Sequence, residues 1–387
     1  MVRLNDYNYR VTKELIAQMP ASPRDSARLF VYDTKTDTVV FDTFKNIGKH
    51  LPHHALLVFN DTKVVPARLL LTKETGGRIE VLLMMNEYRD NDSLIKGIVD
   101  RKLSVGATLL FKNGAQLEAV KQEGQFFFFK PSVSVPQLWK LLEQEGKTPI
   151  PPYIKNTKLS ERALREKYQS VLARERASVA APTASLHFTE KLIARLADND
   201  IQHAEVTLHV GLGTFAPIDA KNISEKKLFT EYFEIAEKSA SAVNDAKASG
   251  VPVIPVGTTA LRALESAATS IRGPEKIQGL HEIQGRTLKQ FPQGSTLYFM
   301  ETFSPDLGSP ITPCANHPTS LFIYPPYDFK IADALITNFH VPRSSLMLLV
   351  DAFLEHKKAK RRILELYGIA IKEKFRFYSF GDGMLIL

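Results

Sequence analysis

The chain has 387 residues, of which 44% are hydrophobic and 24% are charged, a composition that indicates a folded globular protein and excludes a disordered or fibrous one. A single cysteine, Cys314, excludes an internal disulfide framework, and no stretch reaches the ~18 apolar residues that span a bilayer, so we expect a cytoplasmic protein. The net charge of +8 favours a polyanionic partner such as nucleic acid.

The first predicted element is a short helix at Val11–Gln18. A strand at Leu29–Tyr32 and its hairpin partner at 39–44 follow, because both runs are rich in branched and aromatic residues and flank a polar turn. The next buried strand, Ala55–Phe59, ends in the polar turn Asn-Asp-Thr-Lys at 60–63. Such a turn is a common place for functional residues, and it fits equally well an Asx-turn between two strands.

Residues 71–150 consist of short β-rich runs separated by polar or glycine turns, including the hairpin signal Asn113-Gly114. Five or six strands at this spacing predict a small antiparallel barrel. We assign the run Phe126–Phe129 to the barrel core rather than to a base-stacking surface, because aromatic runs in strands usually pack. A helix and a proline-rich segment then return the chain to the main domain.

From residue 151 onward strands and helices alternate, which is typical of a layered α/β domain with a largely parallel sheet. The predicted strands are Glu205–Val210, Val253–Val256, Ser295–Met300, Ser320–Tyr324 and Ala332–Ile336, and the chain ends in a further strand. The predicted helices lie near 191–198, 236–249, 260–271 and 344–356. The fold class is therefore α/β: a discontinuous main domain of residues 1–70 and 151–387 with an inserted β-barrel domain of residues 71–150.

Two segments dense in small, hydroxyl and imidazole side chains, 178–189 and 207–217, flank one amphipathic helix. That helix, Glu190–Asp198, has its apolar residues at three-to-four spacing, and Thr189 is its predicted N-cap. A packed core has little use for so many polar groups beside glycine and proline, which indicates a functional site. We expect one cleft to bring together a set of polar side chains, namely His187, His209, Thr183, Ser185, Thr214, Asp61, Asn338, His340 and Arg343.

The same region contains a G-x-G-x-x-A pattern at Gly211, Gly213 and Ala216, which matches the dinucleotide-binding fingerprint. In that fingerprint the glycines open a helix whose N-terminus binds the pyrophosphate. Here Pro217 follows at once and no helical apolar period comes after it. We therefore interpret the glycines as a tight turn after a strand, a turn that remains able to bind an anion or a carboxylate.

Other common catalytic and metal-binding patterns are absent from the sequence. The ten histidines are scattered, without a His-x-x-x-His pair, and one cysteine cannot form a zinc pair, so we expect no metal. Neither a Gly-x-Ser-x-Gly elbow nor a phosphate-binding P-loop occurs. An enzyme with this sequence would depend on acid–base chemistry applied to a substrate that is already activated.

The chain resembles the S-adenosylmethionine:tRNA ribosyltransferase-isomerases of queuosine biosynthesis over nearly its whole length. The segments that carry the resemblance are ELIAQMPASPRDSARL, VFNDTKVVPARL, GGRIEVLL, PPYI, ASVAAPTASLHFT, VTLHVGLGTF, VGTTALRALES, FIYPPYDF, LITNFHVPRSSLMLLVDAF and FYSFGDGMLI. Their number and their order along the chain make a chance resemblance very improbable.

The resemblance implies an α/β domain with an inserted β-barrel and a defined reaction. In this family the ribosyl part of S-adenosylmethionine is transferred to 7-aminomethyl-7-deazaguanine at the tRNA wobble position, giving epoxyqueuosine with release of adenine and methionine. The sulfonium acidifies the neighbouring ribose C–H and later departs as methionine, so S-adenosylmethionine is a co-substrate and no cofactor is needed. The implied partners are a tRNA anticodon arm and S-adenosylmethionine, with no membrane, and we expect a monomer.

Within this resemblance we assign His187 or His209 as the base, and Asp61 or Asp382 as the orienting or acidic partner. Each histidine fits a hydrogen-bonded structural role equally well. The residues expected to bind S-adenosylmethionine are Thr183, Ser185, Gly211, Gly213, Thr214, Thr258, Thr259, Asn338, His340 and Arg343. The cations expected around the mouth of the site, where tRNA phosphates would bind, are Lys63, Arg68, Arg162, Arg165, Lys167 and Arg343.

The sequence departs from the family pattern at several positions. Ser185 in ASL stands where the family more usually has glycine, and Gly383 in GDGM stands in place of an alanine. Ala216 occupies the place of an arginine, and Lys226 and Phe229 occupy the places of two histidines, although the glutamate that follows, Glu231, is present. Two alternatives therefore stay open beside the family reaction. One is a diverged paralogue with an altered substrate or no catalysis, and the other is a protein that binds tRNA without catalysing a reaction.

Overall fold

The structure is a computed structural model of the 387-residue chain, and it describes residues 3–88, 92–211, 218, 220–270, 280–283, 286–289 and 311–387. The strands are β1 (Arg28–Asp33), β2 (Thr38–Thr43), β3 (Leu56–Asn60), β4 (Thr62–Val64), β5 (Arg68–Lys73), β6 (Arg78–Leu83), β7 (Ile95–Val99), β8 (Thr108–Leu110), β9 (Gln116–Glu123), β10 (Phe126–Pro131), β11 (Glu175–Ser178), β12 (Gln202–His209), β13 (Lys227–Ile235), β14 (Val253–Val256), β15 (Leu280–Ile283), β16 (Arg286–Lys289), β17 (Cys314–Leu321), β18 (Leu335–Asn338) and β19 (Gly383–Ile386).

The α-helices of these described parts are α1 (Val135–Glu145), α2 (Glu161–Lys167), α3 (Glu190–Ala197), α4 (Ala220–Glu225), α5 (Glu237–Ala248), α6 (Thr258–Ser270), α7 (Ser345–His356) and α8 (Ile363–Lys372). A 3₁₀ helix at Thr183–His187 precedes α3. None of the helices that the structure describes is long and apolar enough to cross a membrane.

A nine-stranded sheet forms the centre of the main part, in the order β17-β13-β12-β3-β14-β18-β19-β1-β2. The four strands β12, β3, β14 and β18 run parallel, as do β19 and β1, whereas the remaining pairs are antiparallel. The expectation of a largely parallel sheet is thus wrong, because only four of the eight pairings among the described strands are parallel. The α/β fold class is confirmed.

Strand β3 shows why this sheet is covered on both faces. All five of its residues are buried, and successive side chains of a strand point to opposite faces. Leu56 and Val58 pack into the cluster formed with α5 and α6, while Leu57 and Phe59 pack into the cluster that includes α3. The central strand is therefore apolar throughout, as buried parallel strands usually are, and polar groups appear only where it ends.

The second unit is a closed barrel of six strands in the order β10-β7-β6-β5-β8-β9. Inside it, Phe127 and Phe129 are buried, whereas Phe126 and Phe128 on the alternate face are half-buried. The predicted barrel is confirmed, and the assignment of the Phe126–Phe129 run to the core holds for two of its four rings. Its first strand begins at Arg68, and the domain boundaries at residues 71 and 150 stay a prediction.

The structure also tests the predicted cap of α3 and the predicted helix near the start of the chain. Thr189 does cap α3, because its hydroxyl accepts a hydrogen bond from the amide of Leu192 at 3.1 Å. The helix at Val11–Gln18 is wrong: a single 3₁₀ turn forms at Lys13–Leu15, and Ala17 then donates its amide to the carbonyl of Phe377. The strand at Ser295–Met300 lies outside the described residues.

Candidate functional site

Polar residues collect where the parallel strands end. Asn60 is the last residue of β3, Gly257 follows β14, and Asn338 is the last residue of β18. Because these strands are parallel neighbours, their carboxyl ends meet at one edge of the sheet, where open α/β folds usually bind ligands. A cavity of about 540 Å³ lies at this edge, a volume within the range of small-molecule pockets.

Six of the residues selected from the sequence line this cavity: Thr183, Thr258, Thr259, Asn338, His340 and Arg343. The expectation of one shared cleft is wrong for four of the residues in that set, because His187, His209, Ser185 and Asp61 do not line the cavity. Gly211 and Asp382, which were expected to bind or to act at the site, do not line it either. Gly213, Thr214 and Ala216, and with them most of the G-x-G-x-x-A pattern, lie outside the described residues.

Asn338 connects the cavity wall to His187. The Asn338 amide donates from Nδ2 to Nε2 of His187 at 3.3 Å, and its Oδ1 accepts from the hydroxyl of Thr183 at 3.2 Å. The ring of His187 packs on Phe44, with 4.7 Å between ring centroids. His187 thus lies one layer behind the wall and reaches the cavity only through Asn338.

Burial lowers the pKa of His187 to about 4, against a partial opposing effect of the Asp382 carboxylate. The imidazole is therefore neutral at physiological pH, and an accepting Nε2 places its proton on Nδ1. Asp382 itself is engaged elsewhere: it accepts two hydrogen bonds from the guanidinium of Arg376, at 2.8 and 3.1 Å, and one from the backbone amide of the same residue. An acidic role for Asp382 in the cavity has no support in this geometry.

His340 is the histidine that does line the cavity. Its Nε2 lies 2.8 Å from the hydroxyl of Thr337, and its backbone amide donates to the hydroxyl of Tyr367. Burial lowers its pKa to about 3. This imidazole is consequently neutral at physiological pH.

Asp61 does not line the cavity, and its neighbour Asn60 reaches the cavity wall only through a hydrogen bond to a lining residue. The Asp61 carboxylate accepts from the hydroxyl of Thr207 at 2.6 Å and pairs with Arg174 at 3.2 Å. Asn60 instead donates from Nδ2 to the hydroxyl of Thr259, a cavity residue, at 3.0 Å. The difference follows from strand geometry, because consecutive side chains point to opposite faces.

His209 and Gly211 lie on the adjoining strand end. Nδ1 of His209 lies 2.8 Å from the hydroxyl of Thr62, and the amide of Gly211 donates to the carboxylate of Glu231 at 2.8 Å. Glu231 is buried and forms an ion pair with Arg262. Ser185 is fully buried in the 3₁₀ helix, where its hydroxyl has no hydrogen-bond partner among the described residues. These groups surround the site without lining the cavity.

A sequence profile described as "Queuosine biosynthesis protein" matches residues 4–386 of the chain, which is nearly its whole length. The chain belongs to this family. The relatives it resembles include proteins of Carboxydothermus hydrogenoformans at 40% identity, covering 100% of both chains, and of Fusobacterium nucleatum at 39%, covering 99% of this chain and 96% of the relative. A third is from Halothermothrix orenii, at 38% and 100% of both chains. All three are named S-adenosylmethionine:tRNA ribosyltransferase-isomerase.

Among solved structures, the chain is similar to a crystal structure of S-adenosylmethionine tRNA ribosyltransferase from Thermotoga maritima. The sequence identity is 29%, the alignment covers 99% of this chain and 100% of that one, and the TM-score is 0.47.

Two of the departures from the pattern of the queuosine biosynthesis family lie near Glu231. Lys226 precedes β13, and Phe229 lies within that strand, 36% exposed. The ring of Phe229 meets Phe126 of the barrel edge to face, with 6.4 Å between centroids. Phe229 therefore contributes to the contact between barrel and sheet, while the Glu231–Arg262 pair beside it is intact.

Sequence reasoning missed several residues of the cavity in this family member. Tyr153, Tyr168 and Tyr378 form an aromatic part of the wall, and Asn5 reaches it from the amino-terminal segment. The hydroxyl of Tyr153 is 2.7 Å from that of Ser379, and burial raises its pKa to about 12. Two of these tyrosines lie in the segments PPYI and FYSFGDGMLI that carried the resemblance, which was the available signal.

Proposed function

We propose that the protein is an S-adenosylmethionine-dependent tRNA ribosyltransferase-isomerase of queuosine biosynthesis. It transfers and isomerises the ribosyl part of S-adenosylmethionine onto 7-aminomethyl-7-deazaguanine at the tRNA wobble position and releases adenine and methionine, the reaction implied by the resemblance. The observation that carries the proposal is the end-to-end identity of 37–40% with curated relatives of that name. A binding protein without catalysis and a diverged paralogue are not favoured by this agreement.

The cavity supports the proposal through its size and its lining. A volume of about 540 Å³ suits a nucleoside with an amino-acid side arm, and hydroxyls, an amide and a guanidinium converge on a partly aromatic wall. Metal-binding groups of three or more His, Cys, Asp or Glu side chains do not occur among the described residues. The sulfonium of the co-substrate would supply the activation that a metal supplies in other enzymes.

The reaction needs a group that removes a proton from the ribose carbon beside the sulfonium. Neither His187 nor His209 lines the cavity, so we assign this role to His340, the imidazole that does line it and that is neutral at physiological pH. Asn338 and Thr183, fixed to each other at 3.2 Å, would orient the ribose hydroxyls. His187 would act through Asn338, as a positioning residue.

The tRNA partner requires positive charge at the mouth of the cavity. Arg343 is exposed there and forms no ion pair within the described residues. Arg68 and Arg165, by contrast, are engaged with carboxylates. The other members of the predicted cluster form no ion pair among the described residues: Lys63, Arg343, and Arg162 and Lys167 of α2. Binding of the anticodon arm, a monomeric state and a cytoplasmic location belong to the same proposal.

The test mixes the purified protein with S-adenosylmethionine and a tRNA that carries 7-aminomethyl-7-deazaguanine. Release of adenine and methionine, together with an epoxyqueuosine mass in the digested tRNA, supports the family reaction. Adenine release with a different product mass would identify a paralogue with an altered substrate. Binding of the tRNA without adenine release would identify a non-catalytic protein. A tRNA with guanine at the wobble position is the matched control.

A further inference from the structure

The amino-terminal end of α6 opens directly into the cavity. Gly257, Thr258 and Thr259 all line it, and the first hydrogen bond of the helix runs from the amide of Leu261 to the carbonyl of Gly257 at 3.2 Å. The amides of the first helical turn therefore lack intrahelical partners. Because Gly257 occupies the capping position and has no side chain, no cap of its own covers those donors.

Thr258 adds a second, independent feature. Its side chain is 7% exposed and lines the cavity, yet its hydroxyl has no hydrogen-bond partner within the described residues. Thr259 is held differently: its hydroxyl oxygen accepts from Asn60 at 3.0 Å, which leaves the hydroxyl proton free to be donated. Both hydroxyls are therefore available to a group in the cavity, and the arrangement suits a hydrogen-bonding ligand at this end.

Arg343 provides the charge. It lines the same cavity, is exposed, and makes no ion pair within the residues the structure describes. Arg343 lies two residues before α7, and Leu346 in the first turn of α7 lines both this cavity and a small pocket beside it that Thr258 and Thr259 also line. A guanidinium, a threonine hydroxyl and a helix N-terminus together favour an anion with paired oxygens.

We propose that the N-terminus of α6 and Arg343 form a carboxylate subsite, which takes the α-carboxylate at the methionine end of S-adenosylmethionine. This inference rests on the proposed function, because the carboxylate is the one anionic group of that co-substrate at neutral pH. The nucleoside then lies toward Tyr153 and Tyr378, on the aromatic side of the cavity. The assignment fixes the direction in which the co-substrate enters.

The test compares S-adenosylmethionine with decarboxylated S-adenosylmethionine, which keeps the sulfonium and the amine and lacks only the carboxylate. Affinities are measured by calorimetry on the full chain, with and without saturating unmodified tRNA. We expect the wild-type protein to bind the decarboxylated compound about 10- to 100-fold more weakly, the range expected for losing hydrogen bonds to a charged group. Arg343→Met and Thr258→Val should weaken S-adenosylmethionine binding and leave decarboxylated binding within about twofold.

Arg343→Lys, which retains the charge, should fall between Arg343→Met and the wild type, and Arg78→Met is the matched control at an exposed arginine of the barrel, outside the cavity. Unchanged binding of the decarboxylated compound also shows that a variant is folded. Equal wild-type affinity for both compounds, or equal losses for both compounds in the variants, overturns the subsite while the proposed function stands. Failure of the wild-type protein to bind either compound, with or without tRNA, overturns the proposed function and the subsite together.

Discussion

Asn338 and His187 share a hydrogen bond of 3.3 Å in which the amide donates and the neutral imidazole accepts. Asn338 lines the cavity and His187 does not, so the imidazole fixes which way the amide points. With Nδ2 directed to His187, the amide oxygen faces Thr183. His187 does not contact the cavity itself, yet it thereby determines where the donor and the acceptor of the Asn338 amide point.

This relationship predicts a moderate, pH-independent defect for His187 variants. His187→Ala should lower kcat/KM about tenfold, since one positioning hydrogen bond is lost, and His187→Gln should recover part of the loss because its oxygen can accept from Asn338. The measurement is the rate of adenine release between about pH 5.5 and pH 9, a range that includes the ordinary pKa of histidine. A loss of about 10²–10⁴ with disappearance of a pH limb would instead show that His187 transfers the proton.

His340 should behave as the proton acceptor. His340→Gln should lower kcat by about 10²–10⁴ and leave the KM for S-adenosylmethionine within a few-fold, because the side chain acts on the proton rather than on binding. Steady-state kinetics of adenine release measure both quantities. His53→Gln, at an exposed histidine outside the cavity, is the control and should retain full activity. If His340→Gln instead keeps a normal kcat and raises the KM for S-adenosylmethionine, His340 binds the co-substrate and is not the base.

The two buried histidines also predict an acid-sensitive fold. Their folded-state pKa values, about 4 for His187 and about 3 for His340, lie below the ordinary 6.5, so the unfolded chain binds more protons on acidification. Stability should therefore fall as the pH drops from 6.5 toward 4, by on the order of 3 kcal/mol for His187 alone. Urea unfolding at successive pH values measures the slope. His187→Asn should flatten it, and an unchanged slope would contradict the prediction.

The Glu231–Arg262 pair should be a large contributor to stability. Glu231 is 2% exposed, and removing Arg262 leaves a buried carboxylate whose one remaining hydrogen-bond donor among the described residues is the Gly211 amide. Arg262→Met should cost about 3–5 kcal/mol in unfolding free energy, and adding Glu231→Gln should recover part of that loss. Arg3→Gln, which removes the exposed Arg3–Asp6 pair, should cost less than about 1 kcal/mol. A loss of similar size in both single variants would be the contrary result.

Binding of tRNA should depend on the free cations of α2. Arg162→Gln with Lys167→Gln should weaken tRNA binding and flatten the salt dependence by about 0.9 log units for each duplex phosphate contact removed. Arg165→Gln should lower stability instead, because that side chain already pairs with Glu161 and Glu143. Filter binding at several salt concentrations measures the slope. An unchanged slope in the double variant would exclude this face from the tRNA path.

The sequence predicted strands better than it predicted the directions of side chains. Strand β14 lies at the predicted bounds, Val253–Val256, because its apolar residues are buried on both faces. The turn after β3 was also found, but composition cannot tell which of two adjacent polar residues points inward. Asn60 bonds to Thr259, a residue of the cavity wall, whereas Asp61 bonds to Thr207, which does not line the cavity.

Contacts between distant segments account for the other differences. The segment Val11–Gln18 has helical residues, but an isolated helix of this length is marginal, and pairing with Phe377 competes successfully for its backbone. Tyr153 and Tyr378 meet in the cavity wall, with 4.8 Å between ring centroids, although 225 positions separate them. No local pattern encodes such a meeting, because it arises only when the tertiary fold is complete.

Strand β19, at Gly383–Ile386, lies inside the sheet, between β18 and β1, so the hairpin of β1 and β2 is joined to the other strands through a segment that follows it far along the chain. Pairing of segments so distant in sequence is intrinsically slow, because the entropy of closing the long loop is lost before the contacts repay it. Until β19 is in place, one edge of β18 and one edge of β1 are unpaired, and such edges are templates for pairing with another chain. Substitutions that loosen β19 should therefore promote aggregation during folding, even where they leave every residue of the cavity unchanged.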